Sequence, residues 1–303
     1  MATDSFPPIR RLDPGDLKGC VALSVDRGWS PERSKWALLL AASAAFGLDA
    51  PDGHGLAGAV VLTRWGPDLA SIGMMLVAAR YGRRGLGRAL MKHVIAEAGR
   101  ATVTLFATDM GRPLYEQLGF QPVRRNVSFV GAFRPDPARA GARAGATGCA
   151  RAATEADLPA ILAVDRAAFG ADRGHVLRRL PGFADRIAVL ADPPGPAPSG
   201  QAGDSGHSIS GYAAAWRNTP SSTVIGPLVA PDAQAAGQLV ADLAAHAHGS
   251  IRLDLDPDRP EFPAWAHAHG LEPVGRTTVM AYGELTPRGT PGRLFAPISV
   301  ALA

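Results

Sequence analysis

Cysteine is nearly missing: Cys20 and Cys149 are the only two in 303 residues, too few for a disulfide framework and not spaced as metal ligands. Cys20 reads as part of a helix and Cys149 as part of a connecting segment, so a reducing, cytoplasmic compartment is expected and no metal is. Long apolar runs are missing as well. No window approaches about eighteen uncharged apolar residues. Met1-Ala2-Thr3-Asp4 opens no basic segment followed by an apolar one, so neither a membrane span nor export is indicated. A dense basic stretch with interleaved aromatics is also lacking. The 31 Lys and Arg stand against 27 acids for a net charge of +4, which gives a nucleic-acid partner little footing. Part of the arginine excess is gathered between Arg80 and Arg88, where one bound polyphosphate would account for it.

What is present describes a folded protein, with 47% hydrophobic and 19% charged residues. Single cores stop growing below this length, so two domains of about 150 residues each are expected. Residues 133–150 read FRPDPARAGARAGATGCA, in which Pro, Gly, Ala and Arg replace any apolar period. The expected partition is therefore 1–133, a linker over 134–149, and 150–303. Residues 192–208 are poor in apolar side chains and rich in Pro, Gly and Ser, the composition of a mobile loop within the second half. The halves begin and end alike: RRLDPGDL at 10–17 parallels RAATEADL at 151–158, and YEQLGFQPV at 115–123 parallels AHAHGLEPV at 266–274. One domain type is used twice.

In the first half, residues 56–65 and 69–78 are rich in Val, Leu, Ile and Met around Gly66-Pro67-Asp68, which predicts an antiparallel hairpin. A helix over 85–99 follows, with Leu86, Leu90, Val94 and Ala98 on one stripe. Next come a strand at 102–107, a helix at 112–118 with Pro113 in its first turn, and a strand at 121–130. The second half repeats the pattern with helices at 155–169 and 172–180 and strands at 187–191, 210–216 and 223–229. A helix at 232–248, a strand at 251–255, a helix at 261–269 and a strand at 274–282 complete it.

A strand that runs into a glycine-rich turn opening a helix gathers unpaired N–H groups at the positive end of a helix dipole. Gly82-Arg83-Arg84-Gly85-Leu86-Gly87-Arg88 is such a turn. Its glycines let the backbone approach an anion, and Arg83, Arg84 and Arg88 supply charge-assisted contacts.

This run resembles that of the GNAT family of acyl-CoA-dependent N-acyltransferases. From Met75 to Leu90 the sequence MLVAARYGRRGLGRAL falls in register with the family's hydrophobic strand, glycine turn and long helix, and Leu114-Tyr115-Glu116-Gln117-Leu118-Gly119-Phe120 follows at family-like distance. Departures are Gly82 for the family's Arg or Gln, Arg83 for its next Gly, Ala79 for its Pro, and Thr108 for its Asn. The resemblance implies an α/β (α+β) fold of two tandem GNAT-like domains, each a mixed, largely antiparallel sheet flanked by helices. It implies that the turn from Gly82 to Arg88 holds the pyrophosphate of acetyl-CoA, that Met75, Leu76 and Val77 offer strand-edge groups to the pantetheine arm and thioester, and that Thr108 lines the same cofactor site. Tyr115 takes the position that protonates the departing thiolate. The acceptor is a small-molecule or peptide amine, and a homodimer is compatible with the family. The alternative is an acyl-CoA-binding regulator or sensor with degraded catalysis, suggested by Gly82, Ala79 and Thr108.

The general base is not legible; Asp49, His54, Asp68 and Asp109 lie near strand ends or turns. Trp29 and Trp36 flank the segment where related proteins line the acceptor pocket, although a helical Trp also serves a core. In the second half, Pro231 stands where the glycine turn would be, no arginine is close in sequence, and Ala266 replaces Tyr115. Residues 165–173 (DRAAFGADR), 226–230 and 294–303 resemble the degenerate C-terminal domain of bacterial tandem GNAT proteins, with Asp172 and Arg173 as a candidate buried pair or acceptor contact.

Overall fold

The computed structural model describes residues 6–136, 150–191 and 208–302. Most of the expected linker, with Cys149, and nearly all of the expected loop at 192–208 lie outside the described residues.

The chain divides into two compact units. Unit 1 contains β1 (Arg10–Arg11), α1 (Leu17–Asp26), α2 (Arg33–Ala42), β2 (Ala44–Asp49), β3 (Leu56–Arg64), β4 (Leu69–Val77), α3 (Leu86–Ala98), β5 (Thr102–Ala107), α4 (Arg112–Gln117) and the start of β6 (Gln121–Gly131). The sheet runs β1-β2-β3-β4-β5, antiparallel except for the parallel pair β4–β5. Parallel neighbours need a crossover, and α3 supplies it. Its buried stripe of Leu86, Leu90, Met91, Val94 and Ala98 matches the period read from the sequence. Leu90 packs so closely on β3 that a Cβ on Gly58 would meet its Cδ1 at 2.9 Å.

Unit 2 holds β7 (Ala150–Ala152), α5 (Leu158–Phe169), α6 (Gly174–Leu177), α7 (Leu180–Phe183), β8 (Arg186–Ala191), β9 (Ile209–Thr219), β10 (Ser222–Val229), α8 (Ala233–Ala244), β11 (Ser250–Leu255), α9 (Glu261–Ala268), the start of β12 (Glu272–Tyr282), and β13 (Leu294–Ala296). The single helix expected at 172–180 is two short ones, α6 and α7. Pro181 lacks the N–H that would continue the first into the second. The strands repeat the order of unit 1, with β10–β11 as the parallel pair and Leu239, Val240 and Leu243 of α8 in the core.

The compact units do not follow the linear partition 1–133 and 150–303. Unit 1 ends at Arg124 and then takes in Thr277–Thr286 and the residues from Val300, whereas unit 2 spans Arg125–Arg276 and Pro287–Ser299. The physical reason is the pairing of two long strands. At 11 residues each, β6 and β12 are about twice a typical strand, and each begins in one unit and ends in the other. The later part of β6, Val127–Gly131, pairs antiparallel with β11, and the later part of β12, Thr278–Tyr282, pairs antiparallel with β5.

Candidate active site

The site is built where β4 leaves β5. Their parallel pairing covers Leu69–Ile72 against Thr102–Leu105 and then stops. Just beyond, β4 bulges. Its register on β3 jumps from Gly73↔Val61 to Leu76↔Ala59, and Met74 takes a left-handed φ of 49°. A bulge adds twist and redirects backbone groups, so Leu76 and Val77 stay paired with β3 while, among the described residues, no strand pairs with the side that faced β5. Leu76 is buried in the core, and Met75 and Val77 point the other way.

From β4 the chain passes a single helical turn, Ala79–Tyr81, and enters α3 at Gly85. Arg83 has φ 60° and Gly85 φ 80°, which curls the turn so that successive amides face one side. The amides of Gly85, Leu86, Gly87 and Arg88 have no acceptor among the described residues. These are the donors an anion would need. Gly87 has a different task from Gly85: a Cβ there would lie 3.1 Å from Met75 Cε and 3.4 Å from Leu114 Cδ2. Absence of a side chain at Gly87 lets β4, α3 and α4 meet. Gly82 has an ordinary φ of −59°; the strained conformation falls on Arg83. The Leu86 side chain is buried in the core, so only its backbone faces the turn.

Arg83 and Arg84 are exposed at the turn, and Arg84 also lies over the Tyr81 ring. Arg88 donates to Gln117 Oε1 and so links α3 to α4. Arg80 is drawn away, pairing with Asp52 and donating to the His54 carbonyl at 2.8 Å. Thr108 closes the turn into α4: its carbonyl accepts from the Gly111 and Arg112 amides, and its Oγ1 lies 3.3 Å from the Gly111 nitrogen.

Tyr115 sits on α4, buried, tilted against Phe120 with ring centroids 6.1 Å apart. Its hydroxyl lies 3.3 Å from where a Gly111 Cβ would be, at the turn that follows β5. Because β4 and β5 are parallel, this turn and the glycine turn are at the same end of the sheet. Burial pushes the phenol from its ordinary 10.0 up to about 12, well above the value near 10 expected from the sequence, because the phenolate loses its hydration.

Among the base candidates, Asp68 is in the hairpin at the far end of β4. Asp49 is held by Arg10 through two hydrogen bonds of 2.8 and 2.9 Å. His54 and Asp109 are exposed. Trp36 is fully buried and donates to Ser24 Oγ at 2.8 Å, a core residue, whereas Trp29 is exposed. One positioning residue was invisible in the sequence: Asp26, at the end of α1, accepts from the Ala79 amide at 2.7 Å and fixes the entry to the turn. The partners are 53 positions apart, and no local pattern marks such a bond.

Unit 2 closes each of these features. The N-cap of α8 is Asp232, whose carboxylate accepts from the Ala235 amide at 2.8 Å and puts negative charge where an anion would sit. Strand β13 pairs with Leu228 and Val229 of β10, and the Ala230 amide bonds to the Arg293 carbonyl at 2.9 Å, so the open edge of unit 1 is here filled by the chain itself. A cavity of about 290 Å³ at this end is lined by Asp232, Glu261, Phe262, Phe295 and Arg259. The fold thus brings close an arginine that is distant in sequence. Arg259 donates to the carbonyls of Leu294, Gly292 and Pro291 and so is committed to β13 and its approach. Ala266, the counterpart of Tyr115, is buried. The buried pair expected of Asp172 and Arg173 is instead Asp165 with Arg173, joined by two hydrogen bonds of 3.1 and 2.5 Å, and Tyr212 donates to the same Asp165 oxygen. Asp172 accepts from the Gly174 amide at the start of α6.

Two family models, each described as an acetyltransferase (GNAT) domain, match the chain at residues 48–122 and 161–296. An uncharacterized N-acetyltransferase of Bacillus subtilis, YitH, is 28% identical over 77% of this chain and 77% of its own length. A putative acetyltransferase from Pyrococcus horikoshii superposes with a TM-score of 0.76 over 98% of this chain and 95% of its own, at 18% identity. A tandem GNAT protein from the clavulanic acid biosynthesis pathway gives 0.61 over 92% and 99%, at 17% identity. With a domain of this kind matched in each half and the same tandem architecture in the fold, the chain belongs to the GNAT acetyltransferase family.

Proposed function

We propose that unit 1 is an N-acetyltransferase that takes its acetyl group from acetyl-CoA and passes it to a primary amine by direct attack. The observation that carries the reading is the β4 edge at Met74–Val77, unpaired on its β5 side among the described residues, leading into the amides of Gly85–Arg88, which have no acceptor among those residues. That arrangement suits a ligand with an extended, amide-bearing arm ending in a pyrophosphate. Arg83 and Arg84 add charge at the phosphate end. The amine nitrogen attacks the thioester carbonyl carbon, and a strand-edge N–H of β4 stabilises the tetrahedral oxyanion. The attack forms the C–N bond, and collapse of the intermediate restores the carbonyl and breaks the C–S bond. The nitrogen loses a proton to solvent, and the departing thiolate is met by the Tyr115 hydroxyl. A phenol held up to about 12 stays protonated at neutral pH and serves as a hydrogen-bond donor to the thiolate. The acid cap of α8 and the β13 plug support one acyl-CoA site per chain.

Calorimetric titration with acetyl-CoA, followed by thiol release with a panel of amines, amino acids, peptides and aminoglycosides, tests the reading. One site per chain and turnover with at least one amine are expected. Acetyl-CoA binding without turnover on any amine would leave a sensor and remove the enzyme.

A further inference from the structure

A glycine stands at the splay of the parallel pair in each unit, one position further along the strand in unit 2 than in unit 1, and the segment after β13 is seated on both. In unit 1, Ile72 is the last β4 residue paired with β5, and Gly73 follows it. In unit 2, Val224 is the last β10 residue paired with β11, and Ile225-Gly226 follow it. A Cβ on Gly226 would lie 2.2 Å from the Pro297 carbonyl oxygen, and a Cβ on Gly73 would lie 2.2 Å from the Ala301 carbonyl oxygen. Both positions therefore need glycine for the same reason: backbone of the segment after β13 lies directly against the strand where it splays from its parallel neighbour. Pro297 and Ala301 are only four positions apart.

The consequences differ between the units. In unit 2, β13 already fills the edge beyond Gly226, so the contact at Pro297 completes a plug. In unit 1 no strand among the described residues pairs with the β5 side of β4 beyond Gly73, and Ala301 lies against the face of Gly73, the residue before the left-handed Met74. Ala301 and Leu302 are buried there, at 4% and 1% exposure. A pantetheine arm running down β4 from Val77 towards Met74 would aim its acyl group at this segment.

On the acyl-CoA reading of unit 1 given above, we propose that Val300–Leu302 forms the end wall of the acyl pocket and sets the length of acyl chain the enzyme accepts. The wall is supplied by residues more than two hundred positions from β4, which is why no motif in the first half encodes the limit. A wall of packed backbone and side chain rejects extra methylenes because close-packed interiors do not open to admit them.

Binding of free CoA, acetyl-CoA, butyryl-CoA and hexanoyl-CoA to the full chain tests this, with two variants. Leu302→Ala removes volume from the wall; Gly73→Ala pushes the segment off β4. The wild type is expected to bind acetyl-CoA at least about tenfold more tightly than hexanoyl-CoA. Both variants should shrink that ratio by about tenfold while free CoA affinity holds. A ratio unchanged in both variants, with melting that shows them folded, would overturn the wall. So would a wild type that does not discriminate. If neither free CoA nor any thioester binds, the acyl-CoA reading itself falls and takes the wall with it. A lost wall with retained CoA binding is thus distinguishable from a misplaced cofactor.

Discussion

At φ 60°, Arg83 holds a left-handed backbone conformation in a turn where the family places glycine. A side chain in that region costs about 1–2 kcal/mol, and glycine gives back about 0.5–1 kcal/mol through its freer unfolded state. Arg83→Gly should therefore raise stability by about 0.5–1 kcal/mol, read as a higher urea midpoint at unchanged slope. An arginine retained against that cost is explained by charge at the turn, so acetyl-CoA affinity should fall as stability rises. For Tyr115, replacement by Phe should lower kcat by about a hundredfold, with acetyl-CoA affinity held. Its raised pKa also has an alkaline signature. The unfolded chain begins to ionise this phenol near 10.0, while the native protein keeps the proton to about 12. Stability linked to the protonated phenol is complete below pH 10.0 and is lost as pH rises to about 12, on the order of 2–3 kcal/mol. Tyr115→Phe should be free of that loss in denaturation curves taken across the interval. The places of Tyr115 on α4 and of Gly85 at the opening of α3 were legible from motif and spacing. The division of labour among the glycines was not, since a sequence does not reveal that Gly85 answers to φ and Gly87 to contact with Met75.

The elements α3 and α8 show how one architecture is made able or unable to hold an anion. Both follow the strand that pairs parallel, and both present an apolar stripe to the core. The difference is the residue before the first turn: Gly85 brings no side chain, while Asp232 brings a carboxylate that satisfies an amide of its own helix. Gly85 is left-handed at φ 80° where Asp232 is extended, so Gly85→Asp would not copy that cap, but it should bring a carboxylate to the turn where the pyrophosphate is proposed to bind, since Asp tolerates left-handed φ better than most residues. Acetyl-CoA affinity should drop by about a hundredfold, with a loss of stability of about 1 kcal/mol for a side chain at left-handed φ, as measured by calorimetry and circular dichroism. Retained binding would show that the pyrophosphate sits elsewhere. Most strands and helices of both units were readable from hydrophobic period and turn residues, because those signals are local. The plug was not: β13 pairs with Leu228 and Val229 of β10 from far along the chain, and Arg259 reaches the Leu294 carbonyl across 35 positions, with no local pattern to mark either contact.

For the whole molecule, the exchange of strand ends determines what can fold alone. Unit 1 has its β5 edge covered by Thr278–Tyr282, its Phe120 ring packed at 5.5 Å from that of Tyr282, and Gly73 covered by Ala301. All three come from beyond residue 276. Unit 2 in turn draws Val127–Gly131 from before the expected linker to pair with β11. Cutting the chain where composition suggests would thus strip a strand from each sheet, and an unpaired apolar strand edge is a template for aggregation. Residues 1–136 expressed alone should be insoluble or molten. Co-expression with residues 150–303 should recover a soluble complex, because the missing strands are then supplied in trans. The intact protein should melt in one calorimetric transition, since neither unit can open fully without releasing a strand that continues into the other. A monomeric 1–136 fragment with dispersed amide resonances and a sharp melt of its own would show that the borrowed strand contributes little, and two resolved transitions in the full chain would show the same for unit 2.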